Sequence, residues 1–268
     1  MGLARLVLLL SILTALFLGI GYFFAGIGGM AVGLAVAGVM NVVAYWYSDS
    51  FVLKMYRAKP ITEKEHEKLS NFSTIAKKAG VLRPKLYLIE SDVPNAFATG
   101  RSPRHSSVAV TSGLLNRLEK SEVEGVIGHE LGHIKHRDTL LQTMTATMAG
   151  ALSWFAYLFA FGDSENRNAL SMIALLIFVP LAASLIRLAV SRNREFAADR
   201  FGATVTSPSG LASALEKIES FVKTKPIRGN NATSHLFIIN PFSASGAASL
   251  FSTHPPTKAR VAALRALK

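Results

Sequence analysis

The sequence predicts an α+β chain in which a mostly helical domain with a small sheet is fused to about four transmembrane helices in two hairpins. Of its 268 residues, 50% are hydrophobic and only 17% are charged, and the mean hydropathy is +0.33. In a typical soluble domain, about a quarter of the residues are charged. The apolar excess lies in separate blocks, between polar segments with helix and strand patterns, which indicates membrane spans rather than one large core.

The first apolar block is predicted to form a transmembrane hairpin over residues 1–48. No charged residue occurs between Arg5 and Asp49, a run about twice the ~20 residues that cross a bilayer. The glycine-rich stretch AGIGGM lies at its midpoint and suits a tight turn. We therefore expect two spans, near 5–25 and 29–48. A cleaved signal peptide fits poorly, because the apolar region is too long and a second span follows at once.

Residues 49–139 are predicted to form the first half of a water-soluble domain. The segment 59–80 has apolar residues at helical spacing and ends at Gly80, a helix stop signal. Three strands are expected next, at 85–90, 95–100 and 106–113. A helix then begins, with Ser121 as the expected N-cap and Glu124 completing a capping box.

The second membrane hairpin is predicted over residues 140–190, and the second half of the soluble domain, mainly helical, over 191–268. The two apolar runs of this hairpin, 140–161 and 169–190, are predicted to span the membrane rather than to rest on its surface. If both hairpins cross and return, the two soluble halves share one side with every Lys and Arg except Arg167. The positive-inside tendency then predicts a multi-pass protein of the cytoplasmic (inner) membrane whose soluble domain faces the cytoplasm.

Composition excludes two classes of site. The absence of cysteine rules out disulfides and thiolate metal ligands, so a transition metal must be held by His, Asp or Glu. The net charge of +12 would fit a nucleic-acid partner, but the basic residues are spread among acids without a basic run or interleaved aromatic residues. We therefore predict no nucleic-acid binding and attribute the charge to membrane topology.

The stretch VIGHELGHIKHRD, residues 126–138, carries the strongest chemical signal. On a helix, His129 and His133 stand one turn apart on one face, where both imidazoles can bind a single ion. Glu130 lies beside the first of them. This is the H-E-x-x-H arrangement, which supplies two zinc ligands and a general base for peptide hydrolysis. His136 faces about 60° away from the pair and is predicted to be a surface residue.

A third ligand is expected from SRNREFAADR, residues 191–200. Glu195 would complete a His–His–Glu site and leave a fourth position for water. Asp199, one turn further on, would accept the second N–H of a ligand histidine and fix its tautomer. A solvated helix with acids and arginines in ion pairs is the alternative, and the nearby histidine pair makes the ligand hypothesis the better one.

Four motifs, NAFATG, HELGH, SRNREFAAD and FSTHPP, occur in the order found in the HtpX family, which this sequence resembles over almost its whole length. That family comprises membrane zinc endopeptidases of bacteria and archaea related to the type I CAAX prenyl proteases. The resemblance implies a thermolysin-like (gluzincin-type) protease domain with one Zn²⁺ per chain. It also implies cleavage of misfolded or damaged membrane proteins in envelope quality control and stress response.

The family's functional residues map onto matching positions. The resemblance implies that His129, His133 and Glu195 bind zinc and that Glu130 is the base. The strand NAFATG would pair with an extended substrate through Asn95, Ala96, Phe97 and Ala98. His254 and Arg260 match the family's "HP…R" element and are expected to stabilise the oxyanion, although THPP by itself is more typical of a cap and turn before the last helix.

Other functions are compatible with the same residues. The chain could be a dedicated processing protease for one protein or for a prenylated peptide. It could also be a catalytically inactive zinc-binding membrane adaptor, although Glu130 argues against a purely structural metal, or a helical membrane scaffold with a chance motif. The expected partners are unfolded or misfolded membrane proteins and the lipid bilayer, with other membrane proteases as candidates. The sequence predicts no oligomeric state.

Overall fold

A computed structural model describes residues 2–149, 180–181, 184, 191–225, 236–239 and 255–267. In chain order the described helices are α1 (Gly2–Met55), α2 (Phe72–Lys78), α3 (Ser112–Arg117), α4 (Lys120–Lys135), α5 (139–149), α6 (Arg192–Val205), α7 (Pro208–Thr224) and α8 (Thr257–Arg265). The strands are β1 (Lys59–Ile61), β2 (Lys85–Ile89), β3 (Ala96–Ser102) and β4 (His105–Thr111). A mostly helical chain with a small sheet is what the sequence predicts.

The sheet has the order β1-β2-β4-β3, with β2 and β4 parallel and the other two pairs antiparallel. All three predicted strands are present. The third is shorter than predicted, because Thr111 caps α3 by accepting a hydrogen bond from the N–H of Leu114 at 3.1 Å. Strand β3 lies at the edge of the sheet, so one of its sides has no strand partner among the described residues.

Helix α1 is the predicted hairpin. The helix is interrupted at Ala25 and at Gly26, whose φ of 58° lies in the left-handed region that favours glycine. The two arms touch closely enough that a Cβ added to Gly21 would lie 2.1 Å from the carbonyl oxygen of Gly29. The second arm continues to Met55, beyond the predicted end at 48. It does so because its last turns enter the soluble domain, where Val52 packs among buried side chains of the sheet.

Both arms of α1 are long and apolar enough to cross a membrane. The candidate spans are Leu6–Phe23 and Ala25–Met55, with hydropathies of 2.4 and 2.0. Helix α5 packs against this hairpin, in a cluster of buried residues formed by Leu9, Leu13, Ala44, Leu141, Met144, Met148 and Ala149. Most of the predicted second hairpin, 150–190, lies outside the described residues. Two candidate spans therefore stand in the described part of the chain, and the other two remain a prediction.

The prediction of a helix over 59–80 is wrong for most of its length. The structure has β1 at its start, then 3-10 turns at Glu63–Glu65 and Glu67–Leu69, and an α-helix only over Phe72–Lys78. Glutamate side chains bond to the local backbone here, as the N–H of Thr62 donates to Glu65 Oε1 at 2.7 Å. Such bonds compete with the helical ladder. The predicted stop is present, since Gly80 has a φ of 59°.

Helix α4 begins two residues earlier than predicted. Its N-cap is Glu119 rather than Ser121, and the N–H of Glu119 donates to Glu122 Oε2 at 2.7 Å. The Glu122 carboxylate is also held from α7, by Ser213 Oγ at 2.5 Å and Lys217 Nζ at 2.9 Å. Burial opposes ionisation of Glu122, but these hydrogen bonds outweigh it and lower its pKa. The start of the helix is thus decided by a partner on another helix.

Helix α4 runs through the centre of the domain and is in backbone contact with α6. A Cβ added to Gly202 of α6 would lie 2.7 Å from the N of His129 and 2.9 Å from the C of Gly128. On the α4 side, a Cβ at Gly132 would meet Ala198 Cα at 3.1 Å. Small residues on both helices therefore allow the close approach that brings α6 against the histidines of α4.

We expect Gly202→Ala to lower the free energy of unfolding by about 1–3 kcal/mol, because the added methyl meets backbone atoms that cannot move aside. The change would also push Glu195 away from His129 and weaken metal binding. Thermal unfolding by circular dichroism in detergent measures the first effect and metal titration the second. Gly38→Ala is the control, since a Cβ there meets nothing within 4 Å. Equal melting of the two variants would contradict this packing argument.

Candidate active site

Two helices bring three buried side chains together at one point. His129 and His133 come from α4, and Glu195 comes from the first turn of α6. The two imidazole Nε2 atoms are 3.2 Å apart, and the Glu195 carboxylate oxygens lie 3.8 Å from His129 Nε2 and 3.5 Å from His133 Nε2. One ligand atom from each residue lies within 4.8 Å of the others, a spacing that could hold a metal ion.

The donor set fits a tetrahedral metal ion. Two atoms bound at 2.0–2.1 Å to such an ion lie roughly 3.4 Å apart, close to the three separations observed. Each histidine also directs its Nδ1 at a carboxylate, His129 at Asp199 Oδ1 (2.9 Å) and His133 at Asp138 Oδ2 (3.1 Å). His133 Nδ1 can donate a hydrogen bond to its carboxylate, which leaves the lone pair on Nε2, and the short contact of His129 Nδ1 with Asp199 favours the same tautomer. The two Nε2 lone pairs would then face each other across 3.2 Å, a repulsion that a bound cation would remove.

Asp199 lies where the sequence predicts it, against the outer nitrogen of His129. Burial opposes its ionisation, but the charge and hydrogen bonds of Arg260 and the contact with His129 outweigh burial and lower the pKa of Asp199 to about 2. Asp199 is therefore a carboxylate at neutral pH, able to hold the histidine in one tautomer.

Arg260 is buried behind the candidate metal site, at 1% exposure. Its Nε and Nη2 each donate to Asp199 at 2.7 Å, and Nη1 donates to the carbonyl of Ile238 at 2.9 Å. Nη1 also lies 3.7 Å from Glu195 Oε2. The sequence-based hypothesis gives Arg260 an oxyanion role, but these contacts favour the positioning of Asp199 and Glu195. His254, its predicted companion, lies outside the described residues.

Glu130 lies between the histidines and the sheet. Its Oε2 accepts a hydrogen bond from the N–H of Ala98 at 2.8 Å. Burial raises its pKa, although the neighbouring His129 and His133 act in the opposite direction. Glu130 therefore has a raised affinity for a proton and a fixed orientation beside the candidate metal ligands.

Strand β3 passes the site with the edge that has no strand partner among the described residues. Ala98 lies opposite Val108 of β4, and its N–H points away from β4 towards Glu130. Phe97 and Ala98 line a cavity of about 20 Å³ with the two histidines, Glu130 and Glu195. Ala96, the preceding residue, is buried at 1% exposure. The main chain of the predicted substrate-binding strand thus faces the candidate catalytic residues.

The side chain of Asn95 has a different environment from its neighbours. Its Nδ2 lies 3.4 Å from the carbonyl oxygen of Leu236, and its Oδ1 accepts from the N–H of Ile238 at 3.1 Å. It therefore holds the segment 236–239, which closes one side of the cavity. Contact of Asn95 with substrate remains a prediction, and its present partners are main-chain groups of that segment.

Sequence reasoning missed three parts of the site. Its position just after the helix does not distinguish a cap from a site residue at Asp138, yet Asp138 accepts from His133 and forms an ion pair with Arg194. Gln142 and the segment 236–238 line the cavity. For Gln142 the sequence offers one signal, a polar residue within an apolar run. His136, in contrast, is exposed beside Phe201, as predicted.

Comparison with known proteins gives a consistent result. The model of Peptidase family M48 matches residues 63–268. The "Protease HtpX homolog" of Pyrococcus abyssi is 46% identical, covering 96% of this chain and 93% of its own length. Those of Thermococcus sibiricus and Desulforapulum autotrophicum are 47% and 45% identical, covering 96% and 97% of this chain and 93% and 88% of their own lengths.

A solved structure shares the fold. The crystal structure of S. mikatae Ste24p matches 95% of this chain with a TM-score of 0.53 and 18% sequence identity. The chain spans 62% of the length of that protein. At this identity the likeness concerns the fold alone.

Proposed function

The chain belongs to peptidase family M48 and is a metalloprotease, as its resemblance to the HtpX family predicts, and on this premise we propose that it is a membrane-anchored zinc endopeptidase that cleaves misfolded or damaged membrane proteins. The observation that carries the proposal is the buried group His129, His133 and Glu195 beside Glu130 and an unpaired strand edge. The group would hold one Zn²⁺ per chain.

Each side chain of this group would act in peptide hydrolysis. When bound, zinc supplies Lewis-acid chemistry, lowering the pKa of water and polarising the peptide carbonyl. Glu130 would take the proton of the attacking water on Oε1, because Oε2 already accepts from Ala98. The same carboxyl would then deliver the proton to the leaving amine. Burial, which raises the pKa of Glu130, favours this temporary protonation.

The substrate would bind as an extended strand against β3. Pairing through main-chain groups of Ala96, Phe97 and Ala98 grips a peptide with little regard to its sequence, which suits the removal of damaged proteins. A cavity of about 20 Å³ has room for roughly one water molecule. An extended peptide therefore requires the segment 236–239 to move, and a protein must be unfolded to enter.

Helix α1 supports a membrane location. We propose that its two arms span the cytoplasmic membrane and that a second hairpin, 140–190, spans it again. The domains 1–48, 49–139, 140–190 and 191–268 would then alternate between membrane and cytoplasm, with the catalytic domain on the cytoplasmic side, where the positive-inside tendency places the basic residues. This arrangement puts the active site within reach of cytoplasmic segments of membrane proteins.

Two histidines of α4 provide the test. We expect the detergent-purified chain to contain about one zinc ion, as the His–His–Glu set implies, and to cleave unfolded casein. His133→Ala should lose both zinc and cleavage, because it removes a ligand. His136→Ala removes an exposed imidazole one turn away and should retain both. Metal content by mass spectrometry and casein cleavage by gel are the two measurements.

The outcomes separate this function from its alternatives. Zinc without casein cleavage in the wild type would favour a dedicated processing protease, and a prenylated peptide would then be the next substrate to try. Zinc retained equally in both variants would show that the metal is bound elsewhere. A wild type that holds no zinc, even after zinc is added back, would refute the proposal.

A further inference from the structure

A second cavity, of about 720 Å³, lies where the membrane hairpin meets the soluble domain. Its walls come from both arms of α1, the β3–β4 turn, the end of α4 and the start of α5. Arg101, Arg104 and Arg137 contribute its charges, and Leu6, Leu140 and Leu141 contribute its apolar side. This cavity is far larger than the one at the candidate metal site and has no part in the proposed hydrolysis.

The charges of this cavity are unbalanced. Among the described residues no carboxylate lines it and none of its three arginines forms an ion pair. Arg101 is instead held over the ring of Trp46, 4.7 Å from the centroid, an interaction that keeps its charge. Other arginines of the domain do have acidic partners, such as Arg265 with Glu216. Three unpaired guanidinium groups around one space favour an anion, and their planar donors suit phosphate oxygens.

The apolar side of the cavity continues into the membrane-facing part of the chain. Leu6 and Leu140 pack against the buried cluster shared by α1 and α5. Leu6 is also the first residue of a candidate span. Tyr45 lines the cavity at the same level, next to Trp46, and such aromatic residues are typical of the membrane–water interface. The cavity is therefore charged on one side and apolar on the other, next to the start of a candidate span, where the proposed membrane location would place lipid headgroups.

We propose that this cavity binds an anionic phospholipid, with its phosphate among Arg101, Arg104 and Arg137 and the start of its acyl chains along Leu6, Leu140 and Leu141. The volume lies within the range of about 300–1,000 Å³ typical of ligand sites. A free phosphate ion would satisfy the arginines but leave the leucines uncovered. The inference rests on the proposed membrane location and not on the proposed catalytic chemistry.

Trp46 provides a local probe, because it stacks on Arg101 and the chain has only 2 tryptophans. The full chain carrying Trp154→Phe and Glu130→Gln, which removes the proposed general base, is placed in phosphatidylcholine bilayers. Small amounts of brominated phosphatidylglycerol or brominated phosphatidylcholine are then added. We expect the anionic lipid to quench Trp46 at about tenfold lower mole fraction, since each basic side chain near the surface attracts anionic lipid.

The triple variant Arg101→Gln, Arg104→Gln and Arg137→Gln should reduce this preference to about one, because it removes the charges that attract the headgroup. Arg104→Gln alone, at an exposed position, should give an intermediate preference and guards against misfolding of the triple variant. The matched control removes three charges outside the cavity, by the substitutions Arg57→Gln, Arg83→Gln and Arg200→Gln.

Retention of the preference in the control and its loss in the cavity variant would support the site. Equal loss in both would show a diffuse electrostatic attraction and overturn it. Displacement of the brominated lipid by inorganic phosphate alone would identify a small-anion site and would also overturn it. Because the measurement uses a variant without the proposed base, its failure would leave the proposed protease function untouched.

Discussion

We expect Glu130→Gln to bind zinc as the wild type does and to lose about 10²–10⁴-fold in kcat/KM for an unfolded protein, the usual contribution of a general base. Glutamine has nearly the shape of glutamate and can still accept the hydrogen bond from the N–H of Ala98. The metal site and the strand edge should therefore remain intact. Only the ability to hold a proton is removed.

Glu124→Gln is the matched control for this variant. It neutralises another carboxylate on α4, one that accepts from Asn71 Nδ2 at 2.7 Å and lies away from the metal site. Casein cleavage and bound zinc should both stay at the wild-type level. If Glu130→Gln kept full cleavage, another group would have to be the base. If it lost zinc as well, Glu130 would be maintaining the metal site rather than moving a proton.

We expect Arg260→Met to lower the free energy of unfolding by about 3–5 kcal/mol, because it leaves two buried carboxylates without their cation. Arg260 donates twice to Asp199 and lies 3.7 Å from Glu195. Methionine fills much of the space but supplies no charge. Denaturant unfolding followed by circular dichroism measures the loss. Arg265→Met on the same helix is the control, since its ion pair with Glu216 is exposed and is worth about 0–1 kcal/mol.

The same variant separates two roles for Arg260. If it positions Asp199 and through it His129, zinc affinity should fall by about 10–100-fold, as for other groups that orient metal ligands. The kcat of the zinc-saturated variant should then stay near the wild-type value. If Arg260 instead stabilises the oxyanion, kcat falls while zinc affinity is retained. Zinc titration and kcat at saturating zinc therefore decide between them.

Local patterns in the sequence determined much of this protein. The spacing of His129 and His133, the strand patterns and the uncharged run broken by Gly26 are properties of consecutive residues, and helix and strand periodicity convert them directly into structure. The prediction of Glu195 as a ligand came from chemistry, because a metal site without cysteine needs a third oxygen or nitrogen ligand, and the structure places Glu195 beside both histidines. The predicted role of Asp199 followed from that of Glu195, because the two residues lie one helical turn apart.

Tertiary structure decided the rest, for reasons of distance along the chain. Arg260 bonds to Asp199 across 61 residues and Asn95 to Leu236 across 141, and no local pattern records such pairs. The prediction of a helix over 59–80 was wrong because side chains form hydrogen bonds with the backbone there. Helix α4 starts at Lys120 because Glu122, in its first turn, is bound by residues of α7. The sequence therefore selects the chemical groups and the elements that carry them. Packing between distant elements selects the partners, because burial makes an unpaired charge costly and leaves few arrangements that satisfy them all.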